Sequence, residues 1–323
     1  MKGFAIIAYD DIDSDFIDLN RFSRYLDDEK ISYEKREFES DHHNVIVGFQ
    51  FFEDKNFNKE ISKNNNNIFV NGKIYGDLED LNDRRSDDQT TKEYIHQNDQ
   101  LDSTFLSFEG SCVYAIVKNN AIYLQNDFEG YKRIFYYKTD GIFCVSTSLP
   151  LITKIINQAW KVRKNAIFSH LLQRECKWPL TFIEGIMVLP PLTRGVYKNK
   201  SFTFSSRTFA DAYQNKSVTR DDIKREVYQD YKNIILRESF GKVAVTLSGG
   251  YDSNCLVKLY KDNFKAPFTA VSLGYASNRK KDSNVYDETI YAQKIADNLG
   301  IDFKRYLITE QQFLITLINL LDL

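Results

Sequence analysis

Up to about residue 205, apolar positions fall in short runs rich in Val, Ile, Tyr and Phe, separated by turn residues, which is a strand pattern. The predicted strands are Phe4–Ala8, Asn44–Phe51, Asn67–Val70, Ser111–Lys118, Ala121–Asn126, Arg133–Lys138 and Ile142–Thr147. Asn119-Asn120 reads as a two-residue hairpin turn, and Asn71-Gly72 and Thr139-Asp140-Gly141 as two further turns. Helical spacing is rarer here. Phe16, Leu19, Phe22 and Leu26 predict a helix over Asp15–Leu26, and Asn165–Gln173 is a second one. Many strands and few helices, without simple alternation, predict an α+β arrangement.

A polar stretch from about Asn199 to Ser217 marks a boundary, giving predicted domains over 1–210 and 218–323. Beyond it, strands and helices alternate. Thr219 and Asp222 have capping-box spacing, followed by Ile223, Val227, Tyr231 and Ile234 on one helix face, with Gly241 as the stop. Then come a buried strand (Val243–Leu247), a glycine turn, a helix (Ser253–Tyr260), a strand (Phe268–Leu273), a charged loop (Asn278–Asp282) and a helix (Tyr286–Leu299). A last helix is predicted over Glu310–Leu321. The alternation predicts an α/β, doubly wound parallel sheet.

The chain's 323 residues are enough for two such domains. Lys and Arg total 43 against 45 Asp and Glu, a net charge of −2, so no general positive field exists to hold nucleic acid. No apolar run is long enough to span a membrane, and the stretch after Met1 is too short for a signal-peptide core. Cys112, Cys144, Cys176 and Cys255 lie far apart with no C-x-x-C pair, which points away from disulfides and zinc and toward a reducing cytoplasm.

Candidate chemistry concentrates where the Val243–Leu247 strand runs into Ser248-Gly249-Gly250-Tyr251-Asp252-Ser253. Two glycines can adopt positive φ and leave no Cβ to obstruct an anion. The amides opening the next helix are unpaired, and the helix dipole favours negative charge there. The Ser248 and Ser253 hydroxyls offer further donors. A carboxylate at Asp252 would repel phosphate unless a cation lay between, and Mg²⁺ fits that position. Helix capping by Asp252 or Ser253 is the simpler alternative role. The turn is neither a Walker A loop nor a G-x-G-x-x-G fingerprint.

Ser248–Ser253 resembles the pyrophosphate loop of N-type ATP pyrophosphatases, and more closely that of the glutamine-hydrolysing asparagine synthetase family. Ala270–Tyr275 is similar to that family's second strand, and Asp287-Glu288, Tyr291-Ala292, Ile295-Ala296 and Leu299-Gly300 to its following helix. The resemblance implies an adenine nucleotide alpha hydrolase-like domain in which ATP's adenine and ribose rest near Leu247 and Leu273. It implies that Asp252 binds Mg²⁺ and that Ser248, Gly249, Gly250 and Ser253 hold the pyrophosphate. The implied reaction is adenylation of a small-molecule or peptide carboxylate, followed by attack of ammonia or an amine.

Val70–Tyr75, Asn126–Tyr137, Ser146–Ser148, Thr181–Gly185 and Leu189–Pro191 resemble segments of the same family's glutamine amidotransferase domain, which implies an Ntn-hydrolase-like sandwich. Lys2 stands where that family has its cysteine nucleophile, and an amine cannot replace a thiolate in acyl transfer from glutamine. A degenerate, inactive glutaminase is therefore expected, with Asn71 and Gly72 as turn residues. The family's second Mg²⁺ carboxylate, its GxGxDE turn and its catalytic lysine have no counterpart after Ser253. The ATP domain therefore reads as incomplete: the product of a truncated gene, one part of a split ligase, or a non-catalytic nucleotide-binding remnant, and the partner expected is a second copy in a homodimer or a separate C-terminal chain. No nucleic-acid or membrane partner is expected.

Other residues carry plainer expectations. His42-His43 and the Asp10, Asp11, Asp13, Asp15 series read as solvated segments, His96 and His170 as packing residues, and Cys255 as a buried first-turn residue. Arg279-Lys280-Lys281-Asp282 reads as a solvated loop.

Overall fold

The computed structural model describes residues 2–10, 16–38, 44–52, 67–75, 88–98, 109–206, 219–239, 242–264, 266–276 and 287–321. His42-His43, Gly241 and the Asn278–Asp282 loop lie outside these residues, as do Asp11, Asp13 and Asp15. The chain divides into two compact units, Met1–Gln214 and Asn215–Leu323.

The first unit stacks two antiparallel sheets. Its elements in order are β1 (Gly3–Asp10), α1 (Leu19–Asp28), β2 (Ser32–Phe38), β3 (Asn44–Phe52), β4 (Ile68–Tyr75), α2 (Asp88–Asn98), β5 (Glu109–Lys118) and β6 (Ala121–Gln125). They continue with β7 (Phe135–Lys138), β8 (Ile142–Ser146), α3 (Leu149–Ile155), α4 (Lys164–Gln173), β9 (Ile186–Val188), β10 (Thr193–Lys198) and β11 (Ser201–Ser206). One sheet runs β2-β3-β1-β8-β7-β9 and the other β11-β10-β6-β5-β4.

Side-chain alternation along β1 explains the layering. Phe4, Ile6 and Ala8 point into the core between the sheets with Phe69, Val113, Ala115, Ile122 and Leu124. Ala5 and Ile7 point to the opposite face, beneath Phe22 and Leu26 of α1 and Leu151, Ile152 and Ile155 of α3. Ile95 of α2 covers the far side of the second sheet with Ile68, Val70 and Tyr114. The result is a helix–sheet–sheet–helix sandwich within the expected α+β class. The fully buried Gln50 side chain stitches it: its amide donates to the carbonyls of Gly3 (2.9 Å) and Val70 (2.8 Å), and its oxygen accepts from Val70 N (2.9 Å).

Several local expectations change. Asn119 and Asn120 both have positive φ, 53° and 54°, and form the expected turn. Asn71-Gly72 does not turn. Both lie inside β4, with Gly72 opposite Cys112 at φ 123°, and a Cβ there would sit 1.9 Å from the Ser111 carbonyl oxygen. The glycine permits close strand approach. The predicted helix over Asp15–Leu26 begins later, at Leu19, because Asp18 caps it by accepting from Arg21 N at 2.7 Å. Asn199-Lys200, placed by the sequence at the start of a boundary, is the positive-φ turn of the β10–β11 hairpin.

In the second unit the elements are α5 (Arg220–Glu238), β12 (Val243–Thr246), α6 (Tyr251–Asn263), β13 (Phe268–Tyr275), α7 (Glu288–Leu299), β14 (Asp302–Ile308) and α8 (Glu310–Leu321). The capping box at Thr219 is present: its hydroxyl accepts from Asp222 N (3.2 Å), and Asp222 accepts from Thr219 N (3.4 Å). The three strands are parallel in the order β12-β13-β14. The doubly wound expectation is met only in part, because the described strand order never reverses. Val245, Leu247, Val257, Phe268, Ala270, Ala292 and Ala296 form the core beneath α6 and α7. Alternate sheet residues face away from it, and Leu273 (67 %), Tyr275 (73 %) and Tyr306 (51 %) are exposed. β12 is accordingly half-buried, in contrast to the buried strand expected: Ala244 and Thr246 are exposed. Ile223, Val227, Tyr231 and Ile234 do share helix α5, and all are exposed.

Candidate functional site

The candidate site lies where β12 ends. Leu247 is buried, and its amide donates to the Val271 carbonyl at 2.8 Å. β12 pairs with β13 only as far as Val271, whereas β13 continues through Ser272, Leu273 and Gly274 to Tyr275. The glycine turn therefore opens beside a part of β13 that has no β12 partner, which is where Leu273 sits. Carboxyl ends of parallel strands are the usual location of ligand crevices in such sheets.

The turn is braced by its own serines. Ser248 N donates to Ser253 Oγ (3.1 Å), the two hydroxyls lie 3.0 Å apart, and Ser253 Oγ donates to the Gly250 carbonyl (3.1 Å). Gly250 N reaches Ser248 Oγ at 3.4 Å. These hydroxyls, expected as donors to an anion, hold the loop's shape. Asn254 Nδ2 adds a bond to the Gly249 carbonyl at 3.2 Å, a brace the sequence reading missed.

Helix α6 begins two residues earlier than expected, at Tyr251, with Gly250 as its N-cap at φ −79° and ψ 163°. Neither Asp252 nor Ser253 is the cap. Asp252 is instead an exposed first-turn residue, and Ser253 is half-buried. Among the described residues, none accepts from the amides of Gly249, Tyr251, Asp252 or Ser253. The last three belong to the first helical turn, where geometry leaves N–H groups without a helical acceptor and directed out of the helix end. An inward-bonded, closed turn would remove any anion site. The described loop keeps its donors available.

Gly249 has φ +87°, a region that disfavours a side chain. Its Cα lies so close to the first turn of α7 that a Cβ would stand 3.0 Å from Tyr291 Cβ, 3.2 Å from the Glu288 carbonyl oxygen and 3.3 Å from Ala292 N. The two adjacent glycines differ, since a Cβ on Gly250 would meet only Ser248 Oγ, at 3.5 Å. Among the described residues, no group of three or more His, Cys, Asp or Glu side chains converges, so Asp252 has no such cluster around it. Cys255, expected to be buried, is exposed on α6.

In the first unit, the Asn126-Asp127 pair is structural. Buried Asp127 accepts from Tyr131 N (2.9 Å), Lys132 N (3.3 Å) and Ser111 Oγ (3.4 Å). Burial raises its pKa, and the hydrogen bonds to it oppose that rise. Asn126 accepts from Thr193 N at 2.7 Å and donates to the Leu189 carbonyl at 3.3 Å. At the N-terminus, the Thr147 hydroxyl accepts from Phe4 N (3.0 Å) and lies where a Cβ on Gly3 would fall.

Fold and site together define a two-sheet sandwich unit and a parallel α/β unit whose glycine turn opens at the carboxyl edge of its sheet. Residues 236–323, covering β12 through α8, match the family model described as asparagine synthase. No curated protein matches the chain. Among solved structures, it is similar to a glutamine phosphoribosylpyrophosphate amidotransferase from B. subtilis complexed with ADP and GMP. Identity is 7%, over 94% of this chain and 90% of that one, with a TM-score of 0.36. A structure titled as the allosteric regulatory enzyme of purine biosynthesis has 8% identity, over 95% and 84%, with a TM-score of 0.32. Both superpositions are loose. No helix among the described residues is long and apolar enough to cross a membrane.

Proposed function

We propose that the second unit binds ATP with Mg²⁺ at Ser248–Ser253 and belongs to an amide-forming ligase of asparagine synthetase type. The observation that carries this reading is the set of uncommitted amides at Gly249, Tyr251, Asp252 and Ser253, beside an exposed carboxylate, within a segment matching the asparagine synthase model. Oriented N–H groups of this kind fit phosphate oxygens. Asp252 would hold the metal, and Mg²⁺ supplies charge neutralisation between the acid and the phosphates. Leu247 and Leu273 flank the space for the adenosine part.

In the reaction, a substrate carboxylate oxygen attacks the α-phosphorus and pyrophosphate leaves, giving an acyl-adenylate. Ammonia or an amine would then attack the acyl carbon, the nitrogen would lose a proton to solvent, and AMP would depart with the electron pair of the broken C–O bond, leaving the amide. The chain's contribution is placement: the braced turn fixes the departing pyrophosphate, and its N–H groups offset the accumulating charge. A small-molecule or peptide carboxylate is the substrate class. The first unit is a degenerate amidotransferase domain of Ntn-hydrolase type, because Lys2 occupies the nucleophile's place. Exposed Leu273, Tyr275 and Tyr306 on one sheet face favour further polypeptide over that face, in this chain or a partner, since parallel sheets are normally covered on both sides.

A second reading is a nucleotide-binding protein without turnover. ATP–pyrophosphate exchange stimulated by candidate carboxylates separates the two. Exchange supports the ligase, Mg²⁺-dependent ATP binding without exchange supports the second reading, and no ATP binding refutes both.

A further inference from the structure

We infer that Asp287, Thr289 and Arg305 form a positioning cluster that sets the conformation of the glycine turn through the first turn of α7; its consequence for ATP rests on the nucleotide reading above. Arg305 comes from β14 and stands opposite Ser272 of β13. Its Nε donates to Thr289 Oγ1 and its Nη2 to Asp287 Oδ2, both at 2.5 Å. Asp287 Oδ1 in turn accepts from Thr289 N (3.0 Å) and Thr289 Oγ1 (2.5 Å), which caps α7. Each donor and acceptor in this ring is used once or twice without conflict. Bonds of a guanidinium to a carboxylate are among the stronger ones available to a side chain.

Two close contacts make the cluster more than a helix cap. Thr289 is 1 % exposed and lies against Gly274, where a Cβ would fall 2.8 Å from Thr289 Cγ2. This fixes the start of α7 on the carboxyl end of β13. Gly249 then rests directly on the next residues, with Glu288, Tyr291 and Ala292 all within contact of its missing Cβ position. A displacement of α7 of a few tenths of an ångström is therefore transmitted to the turn. The Asp287 carboxyl is held below the ordinary range, chiefly by the Thr289 hydroxyl and also by Arg305, as expected for an acid kept ionised in this role. A simple N-cap would need Asp287 alone.

The test compares Arg305→Met, Arg305→Lys, Thr289→Val and Thr289→Ser in the full chain. Hydrogen exchange at the Ser248 and Asn254 amides, which donate to Ser253 Oγ (3.1 Å) and to the Gly250 carbonyl (3.1 Å) and so report the closed turn, should accelerate without nucleotide in Arg305→Met and Thr289→Val. It should change little in Thr289→Ser, which keeps the hydroxyl, and Arg305→Lys, which keeps charge but loses the fork, should fall between. Mg²⁺-ATP affinity should drop about tenfold in the first two, the scale of one lost charge-assisted bond. AMP, which lacks the groups held by the turn, should bind within about twofold of wild type on the same scale. Unchanged exchange at Ser248 in Arg305→Met, or equal losses for ATP and AMP, overturns the inference. Accelerated exchange in a protein whose wild type binds no ATP overturns the nucleotide reading alone.

Discussion

Replacing each of the two adjacent glycines by alanine should have opposite consequences. At Gly249 the backbone has φ +87°, and the new methyl would lie 3.0 Å from Tyr291 Cβ and 3.2 Å from the Glu288 carbonyl oxygen. Left-handed backbone costs a residue with a Cβ about 1–2 kcal/mol, and a contact with fixed main chain adds on the order of 1 kcal/mol. If that strain is relieved by moving the turn, the anion site is lost by roughly the same amount. A deficit of about 2–3 kcal/mol is roughly a 30- to 150-fold weaker Kd. At Gly250, φ is −79° and the methyl would meet only Ser248 Oγ, at 3.5 Å. The remaining penalty is that of alanine at an N-cap, at most about 1 kcal/mol. Titration calorimetry with Mg²⁺-ATP, paired with thermal melts, reads both variants. Wild-type ATP binding by Gly249→Ala, or a greater loss in Gly250→Ala, would refute this role for Gly249.

The remaining predictions concern both units. Gly72→Ala should lower the stability of the first unit by about 3 kcal/mol, read by denaturant titration, because the methyl meets the Ser111 carbonyl at 1.9 Å and φ is 123°. Asp287, with its folded pKa lowered, contributes stability that is present above the ordinary carboxylate pKa and lost as pH falls through the lowered value; Asp287→Asn should flatten that acid limb in pH-dependent melts. Purified protein should release no glutamate from glutamine in a coupled assay, since Lys2 supplies no thiolate.

The legible parts of the sequence were those in which one residue type answers one local demand. Asn119-Asn120 gave the turn because asparagine tolerates the two positive φ values it requires, and Thr219 with Asp222 gave the helix start because side chain and amide satisfy each other. The Ser248–Ser253 junction was visible for the same reason. By contrast, β2 carries Glu34, Lys35, Arg36 and Glu37 in succession, so no alternation marks it, and its strand form comes from pairing with β3. Gly72 resembles a turn residue because local sequence cannot distinguish a glycine needed for chain reversal from one needed for a close neighbour. The Arg305–Asp287 pair spans 18 residues and two elements, beyond the reach of any spacing rule. Helix α6 starts at Tyr251, ahead of Asp252, because Gly250 takes the cap position that the acid's side chain had suggested for itself.

On the reading proposed above, the turn after β12 binds ATP through a metal on Asp252. Calorimetric titration of the full chain with ATP, with and without Mg²⁺, for wild type and Asp252→Asn, tests it most directly. The expected result is binding that requires Mg²⁺ in wild type and weakens at least about tenfold in Asp252→Asn, the effect of losing one charged ligand. Absent binding, or binding indifferent to both the metal and Asp252, would contradict it.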